Sequence, residues 1–150
     1  VGEFTVGLER SLIHWGRWFR ENTPPSTIIG SPDIGAIGYF SKRRVLDLAG
    51  LVTPDMVPLL ERETPERIVE EFRFASVARP DFLVDRAPRG EALTTRSRFA
   101  ACLVKLGEAE IGGLGIARPG AVVYTFYRVD WECADTLGLV ARAPASHHSQ

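Results

Sequence analysis

Thr27-Ile28-Ile29-Gly30-Ser31-Pro32-Asp33-Ile34-Gly35-Ala36-Ile37-Gly38-Tyr39-Phe40, followed by Val45-Leu46-Asp47-Leu48-Ala49-Gly50, decides how this chain folds. The first four residues are short, β-branched and closed by glycine, the profile of a buried strand. Ser31-Pro32-Asp33 then orders a hydroxyl cap, a first-turn proline and an acid, the chemistry of a helix start. A glycine-interrupted helix over Asp33 to Phe40 leads to a second apolar run, Val45 to Gly50. Strand, helix and strand in that order predict parallel pairing through a crossover.

The same start chemistry recurs at Thr53-Pro54-Asp55 and Thr64-Pro65-Glu66. The first precedes Met56, Leu59 and Leu60; the second precedes Ile68, Val69 and Phe72, apolar on one side of a helix. Asp81 to Asp85 reads as a third strand. Upstream, Leu8, Leu12, Trp15 and Phe19 fall on one helical stripe, which predicts a helix over about residues 6–21, ended by Asn22-Thr23-Pro24-Pro25. Downstream, Ala121 to Val129 is a long β-favouring run; Phe99 to Leu106 reads as its antiparallel partner across Gly107 to Gly120, with a helix as the alternative. Arg86 to Arg98 is polar and proline-bearing, the composition of a surface loop. The expected fold is α/β: a three-layer sheet with parallel N-terminal βαβ units and an antiparallel C-terminal strand pair. Residues 1–142 form one domain in this reading and 143–150 a disordered tail.

Composition narrows the function. With 18 basic and 19 acidic residues the formal net charge is -1, which gives no global field for nucleic acid or an anionic membrane. The longest apolar run, Phe99 to Val104, is far short of the roughly 20 residues a membrane helix needs. The chain starts at Val1 with no signal-peptide pattern, and it reads as a piece of a longer polypeptide. Cys102 and Cys133 pair in an oxidising compartment and stay thiols otherwise; two cysteines do not make a disulfide framework. The three histidines, His14, His147 and His148, supply neither a catalytic triad nor, with these cysteines, a convincing zinc set.

The candidate functional residues are therefore those that break local expectation. Asp33 belongs at the carboxyl end of the first strand, where open α/β sheets bind ligands, and it also suits a helix dipole. Asp47 interrupts an apolar strand and needs a partner, either a structural ion pair through Arg43 or Arg44 or a neighbouring helix amide. Lys42-Arg43-Arg44, with Arg86, Arg89, Arg96 and Arg98, forms either an anion-binding patch or solvated surface. Gly30, Gly35 and Gly38 sit where a phosphate loop would, yet their spacing matches neither a dinucleotide fingerprint nor a P-loop.

Pro24 to Ile29, Asp33 to Ser41, Val45 to Pro54, Arg79 to Val84 and Tyr127-Arg128-Val129 together resemble one group. It is the C-terminal soluble region of bacterial multi-spanning glycosyltransferases of the protein-mannosyltransferase and aminoarabinosyltransferase-like type. The resemblance runs from about Leu8 to Trp131, and Asp33 to Pro54 is its specific part. It implies a non-catalytic domain on the extracytoplasmic face of a bacterial membrane, joined to a transmembrane portion that transfers a sugar from a polyprenyl-phosphate donor. It implies no catalytic residue in this region, and no motif read from the residues calls for a cofactor or a metal. Asp33, Tyr39 and Asp47 match positions of the signature, and with Arg43 and Arg44 they are the candidate ligand-binding residues. The rival expectation is a stand-alone nucleotide- or sugar-phosphate-binding module.

Overall fold

A computed structural model describes residues 2–49, 53–110 and 122–139, with side chains described from Ser11 onward. The expected disordered tail, 143–150, lies outside the described residues. The chain runs α1 (Gly2–Asn22), β1 (Ile28–Ser31), α2 (Gly35–Ser41), β2 (Arg44–Asp47), α3 (Val57–Leu60), α4 (Pro65–Glu70), β3 (Phe82–Pro88), α5 (Leu93–Arg96), β4 (Leu103–Glu110), β5 (Val122–Val129) and α6 (Trp131–Thr136). The five strands form one sheet in the order β2-β1-β3-β5-β4. β1 is parallel to both β2 and β3, whereas β5 is antiparallel to both β3 and β4. The expected α/β architecture, parallel at its start and antiparallel at its end, is the one found.

Side-chain alternation along the strands feeds two cores. On one face Ile29, Val84 and Phe126 pack against Phe19 of α1 and Ile37 of α2. Trp15 of α1 stacks on Phe126, ring centroids 4.3 Å apart. On the other face Leu46, Leu83, Tyr127 and Val129 meet Met56, Leu59, Ile68 and Ala134 from the stretches around α3, α4 and α6. Phe72 stacks on Phe99 at 4.7 Å and packs against Trp131. Cys102 and Cys133 form a disulfide, tying the turn before β4 to α6.

Two close approaches explain two glycines. A Cβ on Gly30 would come within 2.8 Å of Leu83 Cδ2, so this glycine lets β3 pack beside β1. A Cβ on Gly107 would come within 2.5 Å of Trp15 Cζ2, at the point where β4 slips register between Lys105 and Gly107.

Several local readings are revised by tertiary contacts. Thr64 caps α4 as expected, accepting from the Arg67 N–H at 3.2 Å. Ser31 and Thr53 do not cap helices: Ser31 Oγ accepts from Asp33 N–H, and Thr53 Oγ1 accepts from Asp47 N–H, bracing the ends of β1 and β2. The expected loop 86–98 instead extends β3 to Pro88 and contains α5. Residues 100–102 form a 3-10 turn, which moves the start of β4 to Leu103. Asp130 caps α6 by accepting from Cys133 N–H at 3.0 Å, a helix that sequence periodicity left unmarked.

Candidate functional site at the sheet switch point

From β1 the chain turns to one side of the sheet, through α2 to β2, and then returns across α3 and α4 to β3 on the other side of β1. α2 lies with α1 on one face, and α3 and α4 lie on the opposite face. The connections therefore part at the carboxyl ends of β1 and β3, where such sheets leave a crevice. A cleft of about 300 Å³ opens there, with Leu48, Val69 and Val84 as apolar wall and Asp85, Arg86 and Arg96 as polar wall.

Asp33 stands two residues beyond β1, next in sequence to Pro32 of the cleft lining. Arg86 and Tyr124 are cross-strand partners on β3 and β5, which places them on one face. Arg86 Nη1 donates to both Asp33 oxygens, at 3.0 and 3.2 Å, and the Tyr124 hydroxyl donates to Asp33 Oδ2. Burial pushes the Tyr124 phenol above its ordinary pKa, and its hydrogen bond to Asp33 adds to that shift. The Tyr124 phenol therefore stays protonated and acts as a donor at neutral pH.

A second constellation comes from the other face of β3. Asp85, 6 % exposed, interrupts the apolar strand. Arg96 Nη2 donates to both its oxygens at 3.0 and 3.2 Å, and Leu93 N–H donates at 3.1 Å. Arg96 Nη1 also donates to Glu70 Oε2 at 2.8 Å, which joins α4 and α5 under the cleft. Burial raises the Asp85 pKa, against the pull of Arg96. Cations and carboxylates thus alternate round the opening, and their charges are matched locally.

The sequence-derived candidates fall in different places. Asp33 and Asp47 lie at the same end of adjacent parallel strands, and Asp47 is buried with Oδ1 accepting from Ala49 N–H at 2.9 Å. Arg44 pairs in register with Ile28, at the opposite end of the sheet. Arg43 donates to the carbonyls of Arg20 and Thr23 and to Thr23 Oγ1, so it closes the C-terminus of α1. Tyr39, in the last turn of α2, is 68 % exposed with Lys42 Nζ over its ring. Of these five, Asp33 and Asp47 meet cleft residues, Asp33 through Arg86 and Asp47 through the Ala49 N–H. The downstream arginines do not gather into one patch: Arg86 pairs with Asp33, Arg89 with Glu110, Arg96 with Asp85 and Glu70, and Arg98 with Glu71.

Sequence reading passed over Tyr124 and Asp85 as site residues, and it named Arg86 and Arg96 only as members of a basic patch that the fold does not assemble. Asp85 carried the same signal as Asp47, a charge ending an apolar run, whereas the pairing of Arg86 with Tyr124 depends on strand register. Among the described residues no group of three or more His, Cys, Asp or Glu is placed to hold a metal ion. No helix among them is long and apolar enough to cross a membrane.

Fold and site together define a doubly wound α/β domain with a charge-matched crevice at its switch point. The chain belongs to the family described as Domain of unknown function (DUF8728), whose model matches residues 6–127. That span contains Asp33, Asp85, Arg86, Arg96 and Tyr124. No curated protein and no solved structure matches the chain.

Proposed function

We propose that this chain is a non-catalytic extracytoplasmic domain of a bacterial membrane glycosyltransferase that uses a polyprenyl-phosphate sugar, and that its switch-point cleft helps to seat the acceptor. The observation that carries the proposal is the Asp33–Arg86–Tyr124 cluster, which reaches the cleft through Arg86. A carboxylate and a guanidinium that neutralise each other present acceptors and donors without a net field, which suits a hydroxyl-rich ligand. A phosphate would have to draw Arg86 from Asp33 and Arg96 from Asp85. The Cys102–Cys133 disulfide supports an oxidising, extracytoplasmic setting. The resemblance over Asp33 to Pro54 supplies the glycosyltransferase context, with the transmembrane portion of the same protein as partner.

The rival, a nucleotide- or sugar-phosphate-binding module, is disfavoured by Gly30, whose missing side chain makes room for Leu83. Calorimetry on this chain separates the two. Neutral oligosaccharides are expected to bind, with affinity falling at least tenfold in Asp33→Ala and Arg86→Met. Nucleotide or sugar-phosphate binding that needs the same residues would support the rival. Sugar transfer from a polyprenyl-phosphate donor by the chain alone would overturn the non-catalytic assignment.

A further inference from the structure

Every basic residue from Arg73 to Lys105 is held in an ion pair. The opposite end of the sheet is different. Arg17, Arg20, Lys42, Arg43, Arg44 and Arg128 make no ion pair among the described residues, and all but the half-buried Arg43 are exposed. The fold gathers them from four elements. Arg43 binds the Arg20 carbonyl, and Arg17 lies over the Phe40 ring of α2, 5.5 Å from its centroid. Arg128 pairs in register with Phe82 and borders, with Asn22 and Thr23, the groove at the end of α1. Three exposed acids, Glu21, Asp81 and Asp130, share this edge. Six cations less three anions leave a surplus of three, so with a total of -1 the remainder of the chain carries -4. Among the described residues this edge is therefore a locally positive patch on a chain of net negative charge.

The same edge displays aromatic rings. Tyr39 is 68 % exposed beneath the Lys42 ammonium, 4.8 Å from its ring centroid, and Phe40 lies beside it. Cations interleaved with aromatic rings, one of them an amphipathic tyrosine, suit the headgroup layer of an anionic bilayer, where rings sit at the interface and lysine or arginine meets phosphate.

We propose that this edge docks on the surface of a membrane rich in anionic phospholipid. Docked so, the domain turns its switch-point cleft towards the aqueous phase, because cleft and basic edge occupy opposite ends of the parallel strands. The proposal is independent of what the cleft binds.

Co-sedimentation of this chain with vesicles of phosphatidylglycerol and phosphatidylcholine, against pure phosphatidylcholine, tests it. At about fivefold per interfacial cation, a surplus of three gives a preference for anionic vesicles of roughly a hundredfold at low salt, fading as salt is added. The triple variant Arg17→Gln, Lys42→Asn, Arg44→Gln removes three charges at exposed positions and is expected to lose about 100-fold in partitioning. Arg62→Gln with Arg67→Gln, on the opposite helical layer, controls for net charge and should keep most of the binding. Equal partitioning onto neutral vesicles, or full binding by the triple variant, would overturn the proposal. Binding to soluble inorganic polyphosphate with none to vesicles would overturn it too, in favour of a soluble polyanion.

Discussion

Replacing Arg96 with methionine keeps the length of the side chain and removes its charge, leaving Asp85 buried on β3 without its cation. Arg96 makes four polar contacts: both Asp85 oxygens at 3.0 and 3.2 Å, Glu70 at 2.8 Å and the Glu91 carbonyl at 2.7 Å. Removing one member of a buried pair costs about 3–5 kcal/mol. The lower end, about 3 kcal/mol, applies here, because Arg96 retains 22 % exposure and Leu93 N–H continues to bind Asp85. The sign of the pH dependence follows from the raised Asp85 pKa. Between the unfolded value, about 3.9, and the higher folded value, the folded state binds more protons than the unfolded one. Stability from this group is thus present at low pH and lost as pH rises through the folded pKa. In Arg96→Met that folded pKa climbs further, so the destabilisation is greatest at neutral pH and shrinks on acidification. Urea unfolding of both proteins at pH 7 and pH 5 measures this. Adding Asp85→Asn to Arg96→Met should recover part of the loss, because no charge is then left unpaired on β3. A deficit below about 1 kcal/mol at pH 7, or one of equal size at both pH values, would refute the ion-pair reasoning.

Two further outcomes follow from packing and covalent structure. Gly107→Ala drives a methyl group into Trp15 and is expected to cost about 1–3 kcal/mol in urea unfolding, with part regained when Trp15→Phe clears the space; no loss would contradict the close approach of α1 to β4. Cys102→Ser opens a bridge between residues 31 apart, for an expected loss of about 3–4 kcal/mol, read as a lower Tm that reductant reproduces in the parent chain; a Tm unmoved by either would rule out a stabilising bridge.

The amino-acid sequence determined the layered α/β plan, because that plan rests on local information. β-branched runs at Thr27 to Gly30 and Ala121 to Val129, and the stripe Leu8, Leu12, Trp15, Phe19, each declare their period within a few residues. It also marked Asp33, since a strand followed by a helix start fixes where the carboxyl end of a strand must be. Tertiary structure decided the rest. Whether a hydroxyl caps a helix depends on rival partners distant in space, which is why Thr64 caps and Thr53 serves the Asp47 amide instead. The pairing of Arg86 with Tyr124 depends on the register of two strands 38 residues apart along the chain, and a slip of one residue would have put Tyr124 on the opposite face. The separation of the arginines into paired and unpaired groups is likewise a property of strand order: charge is read residue by residue, but its partner is chosen by the fold.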